Sequence, residues 1–324
     1  MERYYILLII LGSIVILFLV SSLLISIFLA LFLCNPYRWT RKKAFDWDFN
    51  KGWINGIEKV KLNEEVSKLS DGYELHWNYA MNSDSNKFVI LIHGYGWTRE
   101  GMYKYGLQYM KLDFNIITYD LRGHGDNKRC PITMGYKDAK DLHELISIVR
   151  EKFGKDIYLG IQGESMGAST ALMEMKYDDE LRFVVEDCGY ATLKDVVYHK
   201  TKQVFHLPKF YADFAGLFVK MFYKFSFNEV EPMEDCKNSK TPLLIIHGDA
   251  DDFVPVSSAY KIKEARNKDS LTELVIVKGA GHAKSLSLDN NAYLNYLQYF
   301  LNKIAWKEVY LWMEKFKQTI PHLN

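Results

Sequence analysis

The sequence predicts an α/β fold, a mostly parallel sheet with helices on both faces, preceded by one membrane-crossing helix. Three observations carry that expectation. Short, continuously apolar runs such as FVILIHG and PLLIIHG read as strands buried on both faces, as central parallel strands are. Helix-like stretches alternate with them, the rhythm of a sheet connected by crossovers. Residues 6–33 are nearly all Leu, Ile, Val and Phe, and no charged residue occurs from 4 to 37.

The N-terminal run is long enough to cross a hydrocarbon core, which takes roughly 20 apolar residues. A cleaved signal would have a shorter core and a small-x-small site, whereas this run ends in ALFLCNPYRW. Residues 1–37 are therefore expected to be a retained anchor, entering the membrane over 4–37. Arg38, Arg41, Lys42 and Lys43 follow it, against Arg3 beside Glu2 before it. By the positive-inside rule the rest of the chain faces the cytoplasm, with an extracellular-facing domain as the alternative. Residues 38–59 read as a polar linker, and 60–324 as the folded domain.

Within that domain, strands are expected over 74–81, 88–93, 115–121, 157–162, 183–187, 242–247 and 274–278. Helices are expected over 137–152, 165–176, 257–266 and 289–304. About fifty residues, roughly 190–238, interrupt the alternation and carry KFYADFAGLFVKMFYKF. A connection of that length reads as a lid insertion. The tail IAWKEVYLWMEKFKQTI reads as one more amphipathic helix, expected to pack on the core or sheet.

Composition narrows the function. With 324 residues and 48% hydrophobic content the chain builds a sizeable core. A net charge of +1 gives no field for nucleic acid, which is excluded as a partner. The four cysteines, Cys34, Cys130, Cys188 and Cys236, form no C-x-x-C pair and read as buried small hydrophobes.

The chemistry concentrates in DIYLGIQGESMGASTALMEM. A strand ends in Gly163-Glu164-Ser165-Met166-Gly167 and a helix follows, the context in which a serine hydroxyl is exposed on a sharp turn. Serine needs a neighbouring base to become a nucleophile. HGDADDFVP places Asp249, Asp251 and Asp252 beyond one later strand, and GAGHAKS places His282 beyond the next. Ser, Asp and His thus arrive in the order and at the strand ends that this chemistry uses. HGYG after an early strand supplies Tyr95, whose backbone N–H pairs with that of Met166 as candidate oxyanion donors.

These motifs, together with DLRGHGDN and EDCGY, resemble the serine-esterase and serine-aminopeptidase-like members of the α/β-hydrolase superfamily, and especially a membrane-anchored bacterial group. The resemblance spans residues 60–301. It implies Ser165 as nucleophile, His282 as base and Asp251 as acid within G-x-x-D-x-x-V-P, with Asp252 as fallback. It also implies an acyl-enzyme mechanism on carboxylic esters, with small-molecule or lipid-like esters as partners. Peptidase and thioesterase activities are alternatives on the same triad, and a binding protein that keeps the fold is the non-enzyme alternative.

Other residues have plainer readings. His93, His124 and His247 precede glycines in loops and are expected to brace them. Glu164 is expected to point away from the chemistry. Three neighbouring acids without further oxygen ligands do not make a metal site, and no cofactor is implied. The aromatic run over 209–227 reads as lid packing, with an acyl-pocket lining as the second reading.

Overall fold

The computed structural model describes residues 1–82, 84–177 and 180–319. In chain order, α1 (Glu2–Cys34) and α2 (Arg41–Asn50) precede β1 (Asn63–Lys68), β2 (Glu74–Ala80) and β3 (Lys87–Ile92). Then come α3 (Tyr103–Met110), β4 (Asn115–Tyr119), α4 (Asp138–Phe153), β5 (Tyr158–Glu164), α5 (Met166–Glu174) and β6 (Phe183–Asp187). An insertion carries α6 (Leu193–Phe205), α7 (Phe210–Tyr223) and α8 (Pro232–Asp235). The domain closes with β7 (Leu243–Gly248), α9 (Ser257–Ala265), β8 (Thr272–Val277), α10 (Ser285–Leu288) and α11 (Asn290–Thr319).

The eight strands form one sheet in the order β1-β2-β4-β3-β5-β6-β7-β8. The β1/β2 and β2/β4 pairs are antiparallel and the rest parallel. Strands β3, β4, β5, β6 and β7 bury every residue or all but one, as their unbroken apolar runs require. The chain moves from β3 to β4 on one side and returns to β5 on the other. This reversal opens a crevice at the carboxyl ends of β3 and β5, the place where open α/β sheets bind ligands.

Three expectations need correction. Residues 38–59 are not an extended linker. Thr40 caps α2, and Arg41 is clamped between Glu64 (2.8 Å), Glu100 (2.5 Å) and Asp126 (2.7 Å). Arg38 is also folded inward, donating to the carbonyl of Cys130 at 2.7 Å, so only Lys42 and Lys43 of the flanking cations remain free of such burial. The sequence reading also passed over β1. Its NEEVSK exposes every second residue and carries no apolar run, because an edge strand needs to bury only one side. The tail is not a separate helix either: α11 runs unbroken from Asn290 to Thr319, and Trp306 on it is exposed rather than packed.

Among the described residues, α1 is the one helix long and apolar enough to cross a membrane. Residues 1–20 are exposed on all sides, whereas Ser22, Ser26, Ala30 and Cys34 are buried in a stripe with a period of four. Against that stripe lies α7, running parallel to α1. Ser22 Oγ meets the Tyr211 hydroxyl at 3.3 Å near one end, and Asn35 Nδ2 donates to the Tyr223 hydroxyl at 2.8 Å near the other. Small residues on one helix allow this close approach. The aromatic run of the insertion thus divides in two: Tyr211, Ala215, Phe218 and Val219 are buried, and Phe214, Leu217, Met221 and Phe222 are exposed.

Candidate active site

Ser165 sits between β5 and α5 with φ +57° and ψ −116°, a region that non-glycine residues rarely enter. Its N–H is held by the Asp187 carbonyl at 2.8 Å. The glycines beside it are dictated by space. A Cβ on Gly163 would lie 2.1 Å from the Gly167 carbonyl oxygen, and one on Gly167 would lie 2.2 Å from that of Ile92. No larger residue fits either place. The turn therefore brings α5 hard against β3 and points the Ser165 hydroxyl into the crevice.

Ser165 Oγ lies 2.8 Å from His282 Nε2, and His282 Nδ1 lies 2.8 Å from Asp251 Oδ2. Nδ1 is then the donor to the carboxylate, which leaves Nε2 able to accept the serine proton. The other carboxylate oxygen of Asp251 accepts from the N–H groups of Phe253 (2.8 Å) and Val254 (2.9 Å). His247 Nε2 lies 2.9 Å from the Val254 carbonyl and 3.3 Å from Asp251 Oδ2, and since both are acceptors, this nitrogen carries the proton. Burial pushes the Asp251 carboxyl up, but the hydrogen bonds from His247 and His282 outweigh it and hold it well below the usual carboxylate range. Asp251 is thus a fixed anion. Asp252 is exposed and offers only its carbonyl, to His199 and Lys200, while Asp249 accepts from the Gly279 N–H at 2.6 Å.

On the opposite side of Ser165 comes the loop after β3. A Cβ on Gly94 would stand 3.4 Å from Ser165 Cβ, so the backbone passes next to the nucleophile there. Met166 opens α5, and its N–H is one of the helix's unpartnered first-turn donors. His93 and His124 brace this loop: His93 Nε2 accepts from the Leu121 N–H (2.9 Å) and His124 Nε2 from the Gly96 N–H (3.1 Å). Burial pushes the His93 ring down to about 4, keeping it neutral. The Tyr95 hydroxyl reaches away from the site and donates to the Leu33 carbonyl at the end of α1, at 2.6 Å.

Two chambers flank Ser165. One, of about 340 Å³, is walled by apolar side chains from three places: Leu29 and Phe32 of α1, Val196 and Phe205 of α6, and Ala215 of α7. The other, of about 250 Å³, is the more polar of the two and holds Asp48, Lys104, Glu164 and Lys284 beside Trp47 and Trp53. Glu164 is buried and lines this chamber with Ser165. Its carboxylate takes Lys104 Nζ at 2.6 Å and the Tyr105 hydroxyl at 2.8 Å. Phe253 stacks on the His282 ring at 4.9 Å and borders both chambers. A larger cleft of about 660 Å³ lies by Arg150, Asp156, Arg182 and Pro242, at the opposite ends of the strands and away from Ser165.

Cys188 Sγ comes within 4.8 Å of the ligand atoms of Asp251 and His282. That trio does not suit a metal ion, because both His282 nitrogens are engaged and burial pushes the Cys188 thiol well up, away from the thiolate a metal requires. Sequence reasoning had no signal for Leu29 and Phe32 as cavity wall, nor for Asp48 and Trp53. They lie in segments expected to be anchor and linker. Lys104, in the polar-looking GMYKYG, was equally silent.

Comparison with known proteins agrees with this fold. The family model described as the prolyl oligopeptidase family matches residues 102–307. The chain is 26% identical over 254 residues to the uncharacterized protein YqkD of Bacillus subtilis, covering 78% of this chain and 83% of that one. Among solved structures it resembles the Pyrococcus furiosus esterase Pf2001, with a TM-score of 0.64 and 23% identity over 83% of this chain and 98% of the other. The α/β hydrolase GrgF from Penicillium also superposes, with a TM-score of 0.59 and 14% identity over 75% and 99% of the two chains. At such identities these structures show a shared fold.

Proposed function

This chain belongs to the prolyl oligopeptidase family and is a serine hydrolase of the α/β-hydrolase fold, and from that premise we propose that it cleaves carboxylic esters at a membrane. The observation that carries the reading is the chain of two 2.8 Å contacts from Ser165 to His282 to Asp251, set beside an apolar chamber. In this reading Ser165 Oγ attacks the acyl carbon while its proton passes to His282 Nε2. The carbonyl oxygen becomes an oxyanion, received by the N–H groups of Tyr95 and Met166. Collapse breaks the bond to the alcohol oxygen, which takes the proton from His282. Water then gives a proton to His282, attacks the acyl-enzyme and releases the acid, and the proton returns to Ser165. Asp251 holds the imidazole tautomer and balances the imidazolium.

Family membership favours a peptidase as the second reading. The polar chamber speaks against one that binds a free amino terminus. Of its two carboxylates, Glu164 is already taken by Lys104 and Tyr105, Asp48 lies in the field of Lys104 and Lys284, and those ammonium groups repel another cation. The exposed helix over residues 1–20 supports a single-span anchor, and Lys42 and Lys43 favour a cytoplasmic-facing domain.

A fluorophosphonate probe tests the enzyme reading directly. Wild-type protein is expected to be labelled at Ser165, and Ser165→Ala or His282→Ala is expected to lower ester turnover by roughly 10⁵–10⁶-fold without unfolding. Folded wild-type protein that is neither labelled nor active would show a binding protein. A panel of ester, thioester and aminoacyl-amide substrates separates the alternatives, and protease access to intact cells reports the side of the membrane.

A further inference from the structure

Resting on that esterase reading, we propose that the apolar chamber is loaded from the bilayer, so that the substrate is a lipid ester whose acyl chain enters between α1 and α6. The anchor is longer than a membrane demands. Its 33 residues make a rod of about 50 Å, against roughly 30 Å of hydrocarbon. The wholly exposed part, residues 1–20, is by itself about 30 Å long. The remaining turns lie against the domain, and Leu29, Phe32 and Leu33 there form a wall of the cavity beside Ser165. Leu29 lies about 13 Å beyond Val20 along the helix, a distance that a long acyl chain spans.

The mouth of the cavity lies on that side. Phe32 is 53% exposed and Val204 54%, yet both line the chamber, so the opening falls between the anchor and α6. Phe205 stands in it, its ring 6.1 Å from that of Phe32. The α1 and α7 surfaces beside the opening are apolar, whereas α6 carries Lys200 and Lys202 there. Leu24, Phe28 and Leu31 of α1 and Phe214, Leu217 and Phe222 of α7 are all exposed, and no charged residue separates this α1 face from the span. An apolar sheath continuous with a membrane helix is covered by lipid. The polar chamber, on the other side of Ser165, receives the alcohol portion.

The test uses the full-length protein in phosphatidylcholine vesicles with 4-nitrophenyl hexadecanoate dissolved in the bilayer and 4-nitrophenyl acetate in the water. Val204→Trp plugs the mouth from an exposed position, and Leu29→Trp fills the chamber from its wall. Each is expected to lower the ratio of long-chain to short-chain kcat/KM by roughly tenfold or more. An unchanged ratio in both overturns bilayer loading while leaving the esterase reading intact. Absence of acetate hydrolysis and of fluorophosphonate labelling in the wild type sinks the esterase reading, and this inference with it. A nitroxide attached through Leu217→Cys supplies a readout independent of turnover. It is expected to meet dissolved oxygen more often than an aqueous nickel chelate, and the reverse overturns the sheath.

Discussion

The two chambers beside Ser165 are built by opposite means. The apolar one is assembled by packing, from α1, the insertion and the loop carrying Phe253, and its walls are held by contacts such as Ser22 to Tyr211 along the α1–α7 seam. The polar one is assembled by charge, with Asp48 from α2, Lys104 from α3, Glu164 from β5 and Lys284 beyond His282. They share a dependence: both are completed by the first sixty residues. The family match begins at residue 102 and so takes in Ser165, Asp251 and His282, the proposed nucleophile, acid and base, whereas Leu29, Phe32, Asp48 and Trp53 lie outside it. The N-terminal segment thus adds to the walls of both chambers from outside the matched region.

The largest effect that separates the two sides is expected from Lys104→Met. The variant leaves the Glu164 carboxylate buried without its cation, which costs about 3–5 kcal/mol. For a domain of this size that corresponds to a fall of roughly 5–10 °C in Tm, read by thermal unfolding of the full-length protein. The double variant Lys104→Met with Glu164→Gln is expected to recover part of the loss, since the Glu164 charge is removed with its cation while the Asp48 carboxyl stays. A small loss in the single variant would mean that water reaches Glu164, and the polar chamber would then be an open surface rather than a charged interior.

A smaller effect distinguishes the chambers by pH. Asp48 is buried, and one carboxylate oxygen has no hydrogen-bond partner. Burial pushes its carboxyl up to about 6, with the Lys104 charge pulling the other way. An unfolded aspartate titrates near 3.9, so between these values the folded state holds the proton more tightly. Asp48 therefore lowers stability as pH rises from about 4 through 6, by about 1–3 kcal/mol. Asp48→Asn is expected to remove that slope and to raise Tm at pH 8 relative to wild type. Parallel curves for the two proteins would show that Asp48 is solvated and the chamber less closed than its packing suggests.

How much of this was legible in the sequence follows the same division. The parallel strands β3 to β8, the elbow and the order Ser165, Asp251, His282 all lie in local patterns: apolar runs, glycines that nothing larger replaces, and residues at strand ends. The choice of Asp251 over Asp252 came from a motif, and in the structure the difference is one of burial and of two backbone N–H donors. What stayed hidden is tertiary. Nothing in an apolar run distinguishes the face of α1 that lies against α7 from the face that meets lipid, because Ser22, Ser26 and Ala30 are also ordinary residues of a membrane helix. Likewise the charges of Arg38 and Arg41 read as membrane-flanking because their acceptors, the Cys130 carbonyl and the carboxylates of Glu64, Glu100 and Asp126, are distant in the chain.

The smallest predicted effect joins the two sides through one hydroxyl. Tyr95 carries a candidate oxyanion N–H on its backbone, while its side chain donates to the Leu33 carbonyl at 2.6 Å and lies 3.2 Å from that of Phe32. Helix α1 is thereby tied to the loop that would hold the developing charge. Tyr95→Phe keeps the N–H and the ring but removes this bond, a loss of about 1 kcal/mol. Because the loop would be loosened rather than removed, kcat for a short soluble ester is expected to fall by roughly 3–10-fold, with KM little changed. That split identifies an interaction felt in the transition state rather than in binding. A rise in KM at constant kcat would place the hydroxyl's contribution in the wall of the apolar chamber instead. No change in either would mean that the anchor shapes the pocket without touching the chemistry.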